Sequence, residues 1–352
     1  MDADLLIRTE GRAGRITLNR PDALNALTYA MANTIEATLR SWANDPAVDL
    51  VIVDAAGDRA FCAGGDIQDL YDRGMACDYD FGRRFWRDEY RLNHLIATYP
   101  KPFVAFAQGF VMGGGVGVAC HGSHRIVGAT TQVAMPECGI GLVPDVGGSL
   151  ILARSPGRLG EYLGMTGARM GPGDAIYAGF ADTYLPEDGW PNLIRALCEG
   201  DPAVIAAAAA PTPAPALRDL QSDVDRLFAG EAADILAALD AEAALGDDDS
   251  FAARTRATLA KKSPIAAAAT PRLIQDVRAQ GTMAAALRRE YRFTSRASEH
   301  GDFLEGIRAA IIDRGHRPAW RDGALADVTD DRIAQMLAPL EPEVELTFDD
   351  TP

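Results

Sequence analysis

Short apolar runs alternate with amphipathic stretches over the first part of the chain. Leu5-Leu6-Ile7 and Arg15-Ile16-Thr17-Leu18 predict two paired strands that are separated by a turn from Gly11 to Gly14. Continuous apolar runs at Leu50 to Val53 and at Pro102 to Phe106 predict strands that are buried on both faces. Strands that alternate with helices in this way indicate an α/β fold.

Helical patterns follow these strands and dominate the second half of the chain. Thr28 to Asn44 predicts a helix with Thr28 as its N-cap, because a threonine side chain can accept a hydrogen bond from an early helical N–H. Later segments repeat alanine, leucine, arginine and glutamate at helical spacing. They are Phe251 to Ala260, Pro271 to Val277 with its proline at the helix start, and Met283 to Tyr291.

The composition divides the chain into four regions. Residues 1–200 are predicted to form the α/β core, and residues 218–340 a helical C-terminal region. Residues 201–217 are rich in alanine and include Pro211, Pro213 and Pro215, which interrupt a helix and predict a linker. Residues 341–352 combine prolines and acidic residues with little apolar content, which predicts a poorly ordered tail.

The charge balance excludes some classes of partner. The 352 residues are 48% hydrophobic and carry a net charge of -16, so the average surface repels phosphate backbones and anionic membranes. No apolar run reaches the ~20 residues that span a bilayer. We therefore expect a soluble protein that has neither nucleic acid nor a membrane as a partner, and a homo-oligomer stays open.

Cysteine usage and the N-terminus indicate the compartment. The five cysteines are scattered and contain no C-x-x-C pair, which is typical of a reducing environment. Met1 to Asp4 contains no basic segment followed by an apolar one, as a signal peptide would. The expected location is cytoplasmic.

Two glycine-rich segments each follow a predicted strand and precede a helix. They run from Ala60 to Ile67 and from Gly109 to Gly117. Small residues let a backbone approach a ligand closely, and the two loops together could aim one N–H each at a developing negative oxygen. Either loop alone is more often only a tight strand-to-helix connection. The spacings of dinucleotide-binding and P-loop motifs are absent.

Three carboxylates are candidates for chemistry. Glu137 and Asp145 lie in an apolar, glycine-rich stretch, where burial would raise a carboxyl pKa and suit it to acid–base or nucleophilic work. Alternatively, Glu137 is an early helix residue and Asp145 caps a helix that begins near Val146. Glu89 lies on a helix with large apolar residues and is either a solvated charge or a ligand contact.

The histidine and cysteine residues considered are interpreted as structural. The spacing His121-x-x-His124 lacks further nearby ligands, so we expect no metal site. Cys62 and Cys138 are interpreted as small buried residues, not as nucleophiles.

Taken together, these motifs resemble the crotonase superfamily, which has the enoyl-CoA hydratase/isomerase fold. The resemblance implies a spiral of strand-strand-helix repeats with a helical C-terminal region. It also implies an acyl-CoA substrate, in which coenzyme A is part of the substrate and no separate cofactor is needed. In that family two backbone N–H groups form the oxyanion hole, here those of Gly65 and Gly114. The substrate-binding residues carried over from the loops are Ala63, Gly64, Asp66, Ile67 and Gly113.

Within the superfamily the chain looks most like the 3-hydroxyisobutyryl-CoA hydrolase family. The motifs that carry this likeness are Arg87 to Asn93, Met112 to Gly117, Ala134 to Glu137, Pro144 to Gly148, Glu290 to Arg292, Asp302 to Ala309, and Pro318 to Trp320. The likeness implies Glu137 and Asp145 as catalytic residues, with Glu89 and Gly114 in contact with substrate.

One absence supports the likeness to the hydrolases. Enoyl-CoA hydratases carry a second catalytic glutamate two residues after the glycine triplet, where this sequence has Gly117. The expected reaction is therefore hydrolysis of a short branched 3-hydroxyacyl-CoA thioester, most of all 3-hydroxyisobutyryl-CoA from valine degradation. The alternatives are an enoyl-CoA hydratase or isomerase and a non-catalytic acyl-CoA-binding relative.

Overall fold

The computed structural model describes residues 4–348. Within them, nine strands form one six-stranded sheet and one three-stranded sheet. The strands are β1 Leu5–Glu10, β2 Ala13–Leu18, β3 Leu50–Ala55, β4 Ala60–Cys62, β5 Phe103–Ala107, β6 Phe110–Met112, β7 His124–Val127, β8 Gln132–Ala134 and β9 Thr183–Tyr184. The large sheet has the order β1-β2-β3-β5-β7-β9, and the small sheet has the order β4-β6-β8.

The large sheet begins with β1 and β2, the one antiparallel pair among the nine strands described in residues 4–348. Leu5 of β1 lies opposite Leu18 of β2, which confirms the predicted pairing of these strands. All later neighbours in both sheets are parallel. The two apolar runs predicted as buried strands are β3 and β5, and both lie inside the large sheet with most residues fully buried.

From β3 to β8, each successive pair of strands adds one strand to each sheet before the chain enters a helix. The strands β3 and β4 are followed by the helices α2 and α3, and β5 and β6 are followed by α4. This confirms the predicted spiral of strand-strand-helix repeats. Because parallel strands leave a sheet at the same edge, the loops after β4, β6 and β8 meet.

The helices of the α/β part are α1 Tyr29–Ala43, α2 Gln68–Met75, α3 Tyr79–Ala97, α4 Gly114–Ala119, α5 Gly148–Arg154, α6 Leu159–Thr166, α7 Pro172–Tyr177 and α8 Trp190–Leu197. Helix α1 begins as predicted, since Oγ1 of Thr28 accepts a hydrogen bond from the backbone nitrogen of Met31 over 3.1 Å. Its apolar face, which includes Ile35 and Leu39, is fully buried.

The C-terminal region is helical, as predicted. Its helices are α9 Val204–Ala208, α10 Leu217–Leu227, α11 Ala232–Ala243, α12 Phe251–Leu259, α13 Pro264–Gln280, α14 Met283–His300, α15 Phe303–Ile307 and α16 Asp330–Leu337. Helices α13 and α14 pack against α5, α6 and α3, and one apolar core joins both parts of the chain. None of the helices described in residues 4–348 is long and apolar enough to cross a bilayer.

The prediction of a helix that starts at Pro271 is wrong. Helix α13 starts at Pro264, and Pro271 lies in its interior. Ser263 and Pro264 provide the stronger start signal, because the Ser263 hydroxyl accepts from the nitrogen of Ala266 and a proline is tolerated at the first helical position. Pro271 cannot donate to the carbonyl of Ala267, so the helix continues without that bond.

The two regions predicted as irregular differ from one another. The segment 201–217 is not irregular throughout, because it contains α9, but Pro211, Pro213 and Pro215 lie between α9 and α10, outside any helix. The described part of the predicted tail is not loose, because Leu346 is fully buried and Arg292 forms an ion pair with Glu345 at 3.0 Å. Its few apolar residues therefore pack on the helices. Residues 349–352 of that tail lie outside the described residues.

Candidate active site

The two predicted glycine loops are in contact. A Cβ built on Gly114 would lie 3.4 Å from the backbone nitrogen of Gly65, and one built on Gly113 would lie 3.4 Å from Cα of Gly64. Gly113 has a φ of +48°, a conformation that strains residues with a side chain. Only glycine therefore suits this close approach of the two backbones.

Both predicted oxyanion donors lie at this contact. Gly114 is the first residue of α4, and the first N–H groups of a helix have no partner within it. Gly65 is held in place by its neighbours, since Leu27 donates to the carbonyl of Gly64 and Asp66 donates to the carbonyl of Leu27. Within residues 4–348 no acceptor takes the N–H of Gly65. Both N–H groups can therefore donate to a ligand oxygen.

A cavity of about 160 Å³ opens beside these donors. A cavity of this size admits several water molecules or a small organic group. Its walls combine both glycine loops, the three candidate carboxylates and apolar side chains. The lining residues are Ala63, Gly64, Gly65, Ile67, Leu70, Phe85, Trp86, Glu89, Gly113, Gly114, Pro136, Glu137, Ile140, Leu142, Asp145, Val146 and Phe303.

Glu137 lies against the glycine loops. It begins a short 3-10 helix, Glu137–Ile140, and its carboxyl is buried. A Cβ built on Gly113 would lie 3.3 Å from Oε1 of Glu137, and Oε2 has no hydrogen-bond partner within residues 4–348. Burial and the charge of Asp145 raise the pKa of Glu137 well above its ordinary value. Glu137 is an early residue of a short helix, as the alternative interpretation held, but its side chain faces the cavity.

Asp145 is buried at the same cavity. The hydroxyl of Tyr90 donates to Oδ2 of Asp145 over 2.7 Å. Burial raises the pKa of Asp145 to about 6, although the hydrogen bond from Tyr90 opposes this shift. The capping alternative is wrong, because α5 begins at Gly148 with Gly147 as its N-cap and without a side-chain cap. The carbonyl of Asp145 accepts from the nitrogen of Gly148 in the turn before the helix. The carboxyl itself is free to face a ligand.

Glu89 is a cavity residue and not a solvated charge. It is 3% exposed, and a Cβ built on Gly114 would lie 2.9 Å from its Oε1. Burial, followed by the charge of Asp145, raises the pKa of Glu89 to about 8. Asp145 therefore loses its proton before Glu89 as the pH rises. Such divergent pKa values are typical of carboxyl groups with different proton-transfer roles.

A strained turn follows Asp145. Val146 has a φ of +51°, which is rare for a β-branched residue. Glu290 of α14 is fully buried and accepts hydrogen bonds from the nitrogens of Gly147 at 2.8 Å and Ser149 at 3.1 Å, and from the Ser149 hydroxyl. On the other side, Nε2 of His121 donates to the carbonyl of Val146 over 2.7 Å. The C-terminal region thus helps to hold the turn beside Asp145.

Some predicted or considered residues lie elsewhere. Asp66 does not line the cavity, and its carboxylate pairs with Arg20 at 3.0 Å. Cys62 and Cys138 are buried, and burial raises the pKa of each thiol to about 12, which agrees with their structural interpretation. Within residues 4–348 no group of three or more histidine, cysteine, aspartate or glutamate side chains could hold a metal ion.

Sequence reasoning gave no role to several residues that shape the site. Tyr90 and Glu290 both occur in motifs given above. Neither residue type nor neighbouring sequence indicates, however, that they contact the loop at Asp145. Phe303 of α15 lines the cavity and packs against Trp86, with ring centroids 5.4 Å apart. These contacts join segments that are far apart in the chain.

Comparison with protein families and curated sequences identifies similar proteins. The family described as enoyl-CoA hydratase/isomerase matches residues 13–337. The chain is 37% identical to a mitochondrial 3-hydroxyisobutyryl-CoA hydrolase of Danio rerio, covering 96% of this chain and 90% of the relative. It is 36% identical to a probable 3-hydroxyisobutyryl-CoA hydrolase of Arabidopsis thaliana, covering 97% of this chain and 93% of the relative.

Solved structures match almost the whole chain. A crystal structure of an enoyl-CoA hydratase from Rhodobacter sphaeroides is 55% identical and has a TM-score of 0.94, covering 98% of this chain and 100% of that one. A carnitinyl-CoA dehydratase from Mycobacterium thermoresistibile is 42% identical and has a TM-score of 0.92, covering 99% of this chain and 100% of that one.

Proposed function

This chain belongs to the enoyl-CoA hydratase/isomerase family, and we propose that it hydrolyses the thioester of 3-hydroxyisobutyryl-CoA. The curated relatives that carry this activity in their names are 34–38% identical over nearly the full chain. Coenzyme A is then part of the substrate, and the reaction requires no separate cofactor. A cytoplasmic location stays a prediction, and the oligomeric state stays open.

The observation that carries the proposal is the position of Glu137. Its buried carboxyl lies next to the two glycine loops, with Oε2 unpaired among the described residues. A thioester carbonyl oxygen that accepts from the N–H groups of Gly65 and Gly114 would place its carbon beside this carboxyl. Donors of this kind stabilise the developing oxyanion by roughly 3 kcal/mol each.

In the first route, Glu137 acts as a general base. It takes a proton from water while the water oxygen bonds to the carbonyl carbon, and the negative charge passes to the carbonyl oxygen. The intermediate collapses with cleavage of the carbon–sulfur bond, and the proton from Glu137 passes to the leaving thiolate. The raised pKa of Glu137 makes its ionised form a stronger base.

In the second route, a carboxylate oxygen of Glu137 bonds to the carbonyl carbon itself. The thiolate leaves, and a mixed anhydride joins the acyl group to Glu137. Water then cleaves the anhydride and restores the carboxylate. Both routes use the same oxyanion donors, and isotope-labelled water distinguishes them, since a single turnover by the second route can leave heavy oxygen in Glu137.

Asp145 and Glu89 are assigned to the acyl end of the substrate. Asp145, which ionises first, accepts a hydrogen bond from the 3-hydroxyl group of the acyl chain. Glu89 stays protonated near neutral pH, because its pKa is raised to about 8, and it therefore donates. The small cavity of about 160 Å³ agrees with an acyl group of few carbon atoms.

Hydration of an enoyl-CoA is the competing activity, and the name of the 55% identical Rhodobacter sphaeroides structure favours it. The region around Gly117 argues against it. A Cβ built on Gly117 would lie 2.5 Å from Nδ2 of Asn93, so no side chain fits there without a shift of Asn93. A second carboxylate at this position has no room.

The test is release of free thiol from 3-hydroxyisobutyryl-CoA, run beside 3-hydroxypropionyl-CoA, acetyl-CoA and crotonyl-CoA. The proposal predicts fast release from the two 3-hydroxyacyl thioesters and slow release from the others. Consumption of crotonyl-CoA without thiol release would replace the proposal with hydration. Inertness towards all four compounds would favour a non-catalytic acyl-CoA-binding protein.

A further inference from the structure

The side chain of Asn93 is buried without any hydrogen bond. It is fully inaccessible to solvent, and neither Oδ1 nor Nδ2 has a partner within residues 4–348. Buried polar groups nearly always have partners, and an unpaired one destabilises the fold. An amide retained in this state is expected where a bound molecule supplies the missing partner.

Asn93 lies one layer behind the active-site cavity. It follows Glu89 by one turn of α3, so both side chains leave the same face of the helix. Glu89 lies against Gly114, and Asn93 lies against Gly117, one turn further along α4. The amide thus lies one helical turn from the contact between Glu89 and the oxyanion donor Gly114.

Val146 connects this layer to the cavity. Its Cβ would lie 3.0 Å from a Cβ on Gly117, the same point that contacts Asn93, and Val146 also lines the cavity. Val146 therefore lies both at the Gly117 contact of Asn93 and at the cavity wall. The strained backbone of Val146, with its φ of +51°, shows that the fold maintains this arrangement at a cost.

We propose that the carboxamide of Asn93 binds a hydroxyl group at the acyl end of the cavity and so contributes to substrate recognition. The inference rests on the proposed function, since it concerns the substrate of the same site. A hydroxyl oxygen can accept two hydrogen bonds, so the unpaired Nδ2 of Asn93 can donate to it beside Glu89 while the hydroxyl proton goes to Asp145. The hydroxyl belongs either to the acyl chain or to a water molecule buried beside it.

Packing alone does not explain an amide at this position. Leucine has a similar size and would fill the space beside Gly117 without burying two unpaired polar atoms. If Asn93 only fills space, the substitution Asn93→Leu is neutral for ligand binding. If Asn93 binds a hydroxyl, the same substitution weakens binding while the melting temperature stays the same or rises.

The experiment measures binding without turnover. The Kd values of 3-hydroxyisobutyryl-CoA and isobutyryl-CoA are measured by calorimetry for Glu137→Gln and for the double variant Asn93→Leu/Glu137→Gln. We expect the double variant to lose about tenfold of the preference that Glu137→Gln shows for the hydroxylated thioester, the effect of one hydrogen bond. If Asn93→Leu weakens the binding of both ligands equally, the hydroxyl group belongs to a buried water molecule.

Unchanged Kd values for both ligands would overturn the inference. Turnover of the wild-type protein is measured separately, so failure of the proposed hydrolysis is distinguished from failure of the role of Asn93. Gln108→Met in the Glu137→Gln background is the matched control, because Gln108 is a buried amide that lines a different cavity and donates to Ala55 and Gly57. We expect it to lower the melting temperature and to leave the ratio of Kd values unchanged.

Discussion

The phenol of Tyr90 donates a hydrogen bond to the carboxyl of Asp145 over 2.7 Å, and both residues are buried. Tyr90 precedes Asn93 by one turn of α3 and follows Glu89 directly, so it connects the helix that carries Glu89 to the loop that carries Asp145. The same hydrogen bond counteracts the rise in the pKa of Asp145 that burial causes. Tyr90 therefore both positions Asp145 and favours its ionised form.

Replacement of Tyr90 by phenylalanine tests this relationship. We expect Tyr90→Phe to lower kcat/KM for 3-hydroxyisobutyryl-CoA by about 10- to 100-fold, because a hydrogen bond to a charged group is lost. The acidic limb of the pH profile should also move to higher pH, since Asp145 then holds its proton longer. Thr294→Val, which removes a hydroxyl 3.4 Å from that of Tyr90, is the control and should change neither quantity much.

Glu290 should act on catalysis from outside the cavity. Its carboxylate accepts from Gly147 and Ser149, so Glu290→Gln places an amide N–H against one of these donors. We expect kcat to fall by about tenfold with little change in KM, and the melting temperature to fall, because the turn beside Asp145 loosens. Equal kcat values for the variant and the wild type would show that the turn holds without Glu290.

The buried state of Glu89 predicts a pH dependence of stability. Burial and Asp145 raise its pKa from 4.5 to about 8, so the folded chain keeps a proton that the unfolded chain has released. The associated stabilisation is fully present below the unfolded pKa and is lost as the pH rises through the folded pKa. Glu89→Gln should therefore raise the melting temperature at about pH 9 and have little effect at about pH 5. A constant difference between these pH values would contradict the assigned shift.

The C-terminal segment should contribute to stability. Leu346 is fully buried, so Leu346→Ala should destabilise the fold by about 2–4 kcal/mol, measured by chemical denaturation. Leu245→Ala is the control, because Leu245 is 87% exposed and should have almost no effect. A neutral Leu346→Ala would instead agree with the loose tail that the composition of this segment indicates.

Patterns in the sequence predict those strands, helix starts and loops that depend on residues adjacent in the chain. Apolar runs located β3 and β5, and the Thr28 side chain marked the start of α1. The glycine loops indicated an oxyanion site only as a pair, because either loop alone is more often a tight strand-to-helix connection. The alternatives for Glu89 stayed open, since a single charge on an amphipathic helix carries no information about what covers it.

Contacts between distant segments could not be predicted in this way. Asp145 meets Tyr90, and Glu290 meets Gly147, only because α3 and α14 pack beside the same turn. Pro271 led to a wrong helix start, because proline usually occupies the first turn of a helix. The start signals at Ser263 and Pro264 lie earlier in the chain and place Pro271 in the helix interior. The packing of Leu346 likewise depends on a surface that exists only after the helices assemble.

The most direct measurement of the central claim compares thiol release from 3-hydroxyisobutyryl-CoA by the wild-type protein and by Glu137→Gln. Affinity for coenzyme A, measured in parallel, confirms that the site remains intact. The account predicts rapid release by the wild type, and a fall of about 1,000-fold or more in the variant with nearly unchanged affinity. An inert wild type, or a variant that keeps substantial hydrolysis, would contradict it.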